Sequence, residues 1–75
     1  MPERDPRRDP RKGDVLRGID VEYHVTHTEG EYSALEERFT TLLVYYTVSD
    51  GRSELSLSLN TWRILRKGCT VVARG

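Results

Sequence analysis

Residues Arg38 to Gly68 read RFTTLLVYYTVSDGRSELSLSLNTWRILRKG, and this stretch decides the architecture of the 75-residue chain. A run rich in Thr, Val and Tyr (Arg38 to Val48) meets Ser49-Asp50-Gly51, and a strict alternation follows in Glu54-Leu55-Ser56-Leu57-Ser58-Leu59. Asp-Gly between two β-type runs is a hairpin signal, because both central residues of the favoured turn need positive φ. The alternation puts Leu55, Leu57 and Leu59 on one face and Ser56 and Ser58 on the other. Next, Asn60 offers an N-cap, and Thr61 to Lys67 fit one or two helical turns with Trp62 and Leu65 inward. Arg66 and Lys67 suit the negative end of the helix dipole, and Gly68 suits a left-handed C′ residue.

Outward from this stretch, the long third strand is apolar in both registers. Leu42, Val44, Tyr46 and Val48 form one row, while Phe39 (shifted by a bulge or bend), Leu43 and Tyr45 form another. Either the strand is covered on both faces, or it curls around a small barrel and leaves Leu43 and Tyr45 as an exposed patch. Upstream, Ile19, Val21, Tyr23 and Val25 alternate with Asp20, Glu22, His24 and Thr26, the pattern of a half-buried antiparallel strand. Val15 and Leu16 begin a short first strand that Gly18 interrupts. Glu29-Gly30-Glu31 is a turn candidate. Tyr32 to Arg38 is open between helical turn, loop and strand: Ser33-Ala34-Leu35-Glu36 matches a capping box, but Thr40-Thr41 argues against helix. Cys69 to Ala73 is a last short strand.

About five antiparallel strands with one short helical turn before the last predict an all-β, SH3-like small barrel over residues 13–75. Residues 1–12 hold all three prolines and a repeat, Asp5-Pro6-Arg7 and Asp9-Pro10-Arg11. With no apolar residue after Met1, that segment is expected to be a disordered, extended arm.

Composition bounds the function. Twelve basic and twelve acidic residues cancel, which speaks against a general nucleic-acid binder. Residues 1–12 carry five basic against three acidic side chains, +2, leaving −2 for the rest. Cys69 is the only cysteine, so no disulfide forms within a monomer, and a reducing cytosol is the expected setting. No apolar run approaches the roughly 20 residues of a membrane span, and the charged, Pro-rich start is unlike a secretory signal. A core this small supplies on the order of 3–5 kcal/mol, so self-association would help it.

Chemistry-bearing patterns are sparse. His24 and His27, three apart on a strand, are expected on opposite faces and therefore not on one metal ion. Asp20, Glu22 and His24 make an acid-base row at roughly 6.6 Å intervals, but no nucleophile or oxyanion site accompanies it. Cys69 follows the C-terminal end of a helical turn, where the dipole disfavours a thiolate, and reads as a small core residue. No Gly-rich phosphate loop is present. The expectation is no enzyme, no cofactor and no metal. The best binding candidate is the cluster Arg63, Arg66 and Lys67 beside Trp62. With Arg7, Arg8, Arg11 and Lys12 of the arm it would grip phosphates while an exposed Trp62 stacks a base. The competing reading buries Trp62 and lets the charges complement the dipole.

Gly13-Asp14-Val15-Leu16, Ser58-Leu59-Asn60-Thr61-Trp62-Arg63 and Lys67-Gly68-Cys69-Thr70-Val71-Val72 resemble a group of small phage and prophage proteins. That group shows an Asp-Pro-Arg-x-Gly-Asp-Val opening, and Asp9-Pro10-Arg11-Lys12-Gly13-Asp14-Val15 is similar to it. The resemblance covers the two ends, about a third of the chain. It implies a phage or prophage setting and attaches no activity. The expected function is a non-enzymatic protein-interaction module in a bacterial cytoplasm. Its surface would be Leu43, Tyr45, Arg63, Arg66 and Lys67, with homodimerisation through the third strand. The alternative is a nucleic-acid-binding accessory domain using the arm and the basic turn.

Overall fold

The computed structural model describes residues 4–49, 51 and 53–75. Five strands, β1 (Val15–Arg17), β2 (Glu22–Ser33), β3 (Arg38–Val48), β4 (Leu55–Ser58) and β5 (Thr70–Ala73), form one antiparallel sheet ordered β4-β3-β2-β1-β5. Helix α1 (Leu59–Leu65) joins β4 to β5. The all-β expectation holds, but the sheet is not closed into a barrel: β4 and β5 remain its two edges. Both are only four residues long, and α1 and the N-terminal segment cover the inner face instead.

Leu16, Val25, Val44 and Tyr46 project from the sheet into a core completed by Trp62 of α1 and by Cys69. The Leu-Ser alternation works as expected for Leu57 and Leu59, which pack against that core, while Leu55 on the edge strand stays 45% exposed. Two bulges reset the faces. Val25 pairs with Tyr46 and His27 with Tyr45, so Thr26 is the extra residue. Glu29 pairs with Leu43 and Gly30 with Thr41, which makes Leu42 extra and leaves it exposed instead of in the inner row. Ile19 falls outside β2: Asp20 has φ 60, the chain bends there, and Ile19 faces water.

The expected turn at Glu29-Gly30-Glu31 is strand. At Gly30 a Cβ would sit 1.9 Å from the Thr40 carbonyl oxygen, so glycine serves close backbone approach at the bulge. The reversal comes at residues 34–37, where Ser33 Oγ accepts the Glu36 amide at 3.2 Å and Glu37 has φ 54. Half of the capping-box pattern is therefore present, used to close a hairpin loop. β1 pairs with β2 only at residues 22–24, and β4 with β3 only at residues 43–46. Residues 30–41 thus project as a two-stranded ribbon with no flanking strand.

The Asp-Gly turn is also longer than expected. Residues 49–54 link β3 to β4, Gly51 donates to the Val48 carbonyl at 2.8 Å, and Gly51 is not left-handed. Asp50 lies outside the described residues. α1 starts before Asn60: Ser58 is its N-cap, accepting the Thr61 amide at 3.3 Å. Leu65 is 54% exposed, not inward. Gly68 is not left-handed either, because the helix ends through the Arg66 amide on the Trp62 carbonyl and the Cys69 amide on the Arg66 carbonyl.

The segment expected to be a disordered arm is packed from Arg4 onward, while Met1 to Glu3 lie outside the described residues. Its Asp-Pro-Arg units fold locally. The Asp5 carbonyl accepts the Arg8 and Asp9 amides at 2.9 and 2.8 Å, and the Asp5 carboxylate accepts the Arg7 amide at 3.0 Å. Pro6 and Pro10 are fully buried, and the Trp62 indole donates to the Pro6 carbonyl. Proline has little backbone freedom to lose, which lowers the ordering cost that composition alone suggests.

Asp14 fastens this segment. Its buried carboxylate takes both Arg4 Nη atoms, at 2.5 and 2.7 Å, the Arg11 amide at 2.7 Å and the Gly75 amide at 2.8 Å. Burial pushes the carboxyl up, but these donors outweigh it and hold the group below its ordinary value of 3.8. Gly13 (φ 92) lets the chain turn where its Cα side meets Gly75.

Candidate functional site

α1 has an exposed side that carries Arg63, with Lys67 one turn further on, and the folded N-terminal segment brings Arg7 and Arg8 beside them. Asp5, Arg7, Arg8, Arg63 and Lys67 line an open depression of about 420 Å³. Its geometry is fixed by backbone acceptors. Arg63 Nε donates to the Arg8 carbonyl at 2.8 Å, and Arg7 Nη1 donates to the Cys69 carbonyl at 3.1 Å. Arg7 Nε also meets Asp5 Oδ1 at 3.0 Å, and that pairing holds the Asp5 carboxyl below its ordinary value. Arg7 is therefore occupied. Among the described residues, the side chains of Arg8 and Lys67 have no acceptor, and both are exposed.

The structure thus joins half of the expected arm to half of the expected basic turn. Arg11 and Lys12 lie elsewhere, at the Asp14 turn, with Arg11 3.6 Å from Asp9. Arg66 leaves the binding surface altogether. It is 6% exposed, with its guanidinium 3.6 Å over the Tyr23 ring and 5.0 and 5.4 Å from the Trp62 and Tyr46 rings. No acceptor reaches its Nε, and the three aromatic faces stand in for a counter-ion. Trp62 is wholly buried, so it offers no ring to a base.

Leu43 and Tyr45 are half-buried on the outer face of the sheet and do not line the depression. Tyr45 stacks on His27 with centroids 4.2 Å apart and donates to Glu29 Oε2 at 3.0 Å. Accepting the phenol proton's hydrogen bond, Glu29 raises the Tyr45 pKa above its ordinary value. The Thr26 bulge returns His27 to the side that carries His24, against the expectation of opposite faces. Each still meets its own carboxylate: His24 Nε2 is 3.5 Å from Glu22, and His27 Nδ1 is 3.5 Å from Glu54. Among the described residues no cluster of three metal-ligating side chains occurs. The acid-base row is broken, since Asp20 sits in the loop before β2.

Charge is more segregated than a count over residues 1–12 indicates. Residues 18–54 hold eight acidic and two basic side chains, net −6, while residues 1–17 and 55–75 hold ten basic and four acidic, net +6. The acidic part is the β2–β3 hairpin with its connections; the basic part is the N-terminal segment, β1, α1 and β5. No helix among the described residues is long and apolar enough to cross a membrane. Comparison with family models, curated proteins and solved structures returns no match.

Proposed function

We propose that this chain is a non-enzymatic protein-interaction module that takes an acidic segment of a partner protein in the depression between the N-terminal segment and α1. One observation carries the proposal: Arg8 and Lys67, exposed and without acceptors among the described residues, converge with Arg63 on a preformed recess. Of these, Arg63 is held in place by the Arg8 carbonyl and loses little freedom on binding, while Arg8 and Lys67 supply the open donors. The meander β2-β3-β4, with β1 between β2 and β5 and a short helix before β5, supports an opened SH3-like small barrel as the scaffold. The end motifs support a phage or prophage setting and action within the bacterial cytoplasm.

Nucleic-acid binding is the second reading, favoured by the meeting of Arg7 and Arg8 with Arg63 and Lys67. The burial of Trp62 counts against it, since stacking is the usual complement to such a groove. The test is titration of the full chain with a glutamate-rich peptide and with a single-stranded oligonucleotide of equal charge. Peptide binding lost on Arg8→Glu and Lys67→Glu, at unchanged thermal stability, is the expected result. Tighter oligonucleotide binding, with a log-log salt slope near −0.7 per phosphate, would transfer the site to nucleic acid. No binding of either ligand removes the proposal.

A further inference from the structure

We infer that the acidic segment is this chain's own ribbon: residues 30–41 of one copy fill the basic depression of the next, head to tail. The inference rests on the module reading above and names its partner.

The base of the ribbon, Arg38 to Thr41, lies beside Asp9, Leu59 and Arg63 of its own chain, but its tip and much of its apolar surface stay exposed. Its two strands pair only with each other, and a lone two-stranded ribbon is marginal in water. Tyr32 and Phe39 face each other across it, 65% and 52% exposed, and Leu35 at the tip is 96% exposed. Its acidic side chains divide into two sets. Glu29 is engaged by Tyr45, and Glu36 pairs with Arg38 at 3.1 Å. Glu31 and Glu37 are exposed and, among the described residues, have no cation. On the basic side the complement is Arg8 and Lys67.

Charge also selects the geometry. Ribbon against ribbon sets −2 (Glu31, Glu36, Glu37 and Arg38) against −2, and depression against depression sets +3 (Arg7, Arg8, Arg63 and Lys67 with Asp5) against +3, so both symmetric pairings repel. Only the unlike pairing attracts. Because the two surfaces are distinct, each bound copy still offers one free end, and the contact propagates to a ring if the rotation closes or to a filament if it does not. The ribbon extends only about 13 Å past the sheet, four residues at the strand rise. The contact is small and largely electrostatic, hence favoured at low ionic strength.

Sedimentation of the full chain over a concentration series at low salt tests this. The mass is expected to rise above 8.7 kDa with concentration and to return toward it as salt is added. Glu31→Lys with Glu37→Lys reverses one end, and Arg8→Glu with Lys67→Glu reverses the other. Each pair alone is expected to give monomer, and the four changes together to restore assembly with both signs exchanged. A zero-length carbodiimide cross-link between Glu37 and Lys67, shown to be intermolecular by mixing isotope-labelled and unlabelled native chain, is an independent readout that needs no variant. The inference is overturned by a native mass fixed at 8.7 kDa, by assembly of either reversed pair alone, by failure of the fourfold variant to recover, or by absence of the cross-link. A native chain that stays monomeric yet binds the glutamate-rich peptide sinks the self-association alone and leaves the module reading standing.

Discussion

The Trp62 indole nitrogen lies 3.1 Å from the carbonyl oxygen of Pro6, across 56 positions of sequence. This bond ties the N-terminal segment to α1 and so holds Arg7 and Arg8 against Arg63 and Lys67. Trp62→Phe keeps an aromatic ring but removes the donor and leaves the Pro6 carbonyl unsatisfied. It is expected to cost about 1–3 kcal/mol in urea unfolding followed by circular dichroism. Retained stability would mean that the N-terminal segment is not fastened there.

Deletion of residues 1–12 is expected to unfold the domain, not to trim a tail. It removes Arg4 and the Arg11 amide from a buried carboxylate and strips Pro6 from Trp62. Breaking a buried pair by removing one partner costs about 3–5 kcal/mol, comparable to the whole stability of a chain this size. A truncated chain with a native-like amide spectrum would show the sheet and α1 to be self-sufficient.

Asp14 makes stability pH-dependent, with a defined sign. Its folded pKa lies below the ordinary 3.8, so its contribution is fully present above that value and is lost as pH falls through the folded one. Unfolding followed by Trp62 fluorescence should show stability declining as pH drops below about 4. Asp14→Asn should be less stable at pH 7 and lose less on acidification. Asp5 and Glu22 are also depressed, by Arg7 and by Arg17, but both are solvent-screened and add little.

Arg66 behaves as a core residue. Arg66→Met fills similar space between Tyr23, Tyr46 and Trp62 without a buried charge, and it is expected to match or exceed native stability. Arg66→Glu should unfold the domain, because a carboxylate there meets the negative faces of three rings. A harmless charge reversal in thermal melts would show that the side chain is free to leave the core.

The ribbon offers two opposite tests. Gly30→Ala forces a methyl onto the Thr40 carbonyl, so hydrogen exchange in residues 30–41 should accelerate. Glu37→Gly relieves a left-handed φ of 54 and should raise stability by about 1 kcal/mol. Equal and unchanged exchange in both variants would contradict this hairpin geometry.

How legible this was depends on the range of the interactions. Strand content, the inward set Val25, Val44, Tyr46 and Leu57, and the helix before the last strand follow from local alternation and capping chemistry. The positions of the bulges do not: a bend is expected only at Phe39, whereas the extra residues Thr26 and Leu42 leave no mark in the alternation and move His27 and Leu42 to new faces. The N-terminal segment was opaque for a related reason. Its burial rests on Trp62, Asp14 and Gly75, all distant, while its own residues are polar or proline. Arg66 was misplaced because an arginine is assigned to water unless aromatic faces are known to surround it. The basic depression was half visible: both sets of cations were evident, and the contact that joins them was not.

Because β1 lies between β2 and β5, the order of synthesis differs from the order of assembly. A nascent chain emerging from the ribosome can zip β2 to β3 and then add β4, all from near neighbours. Leu16 must wait about fifty residues for its second neighbour, Val71, so loop closure across nearly the whole chain comes last. Until Thr70–Ala73 is available to pair, β1 offers an open edge.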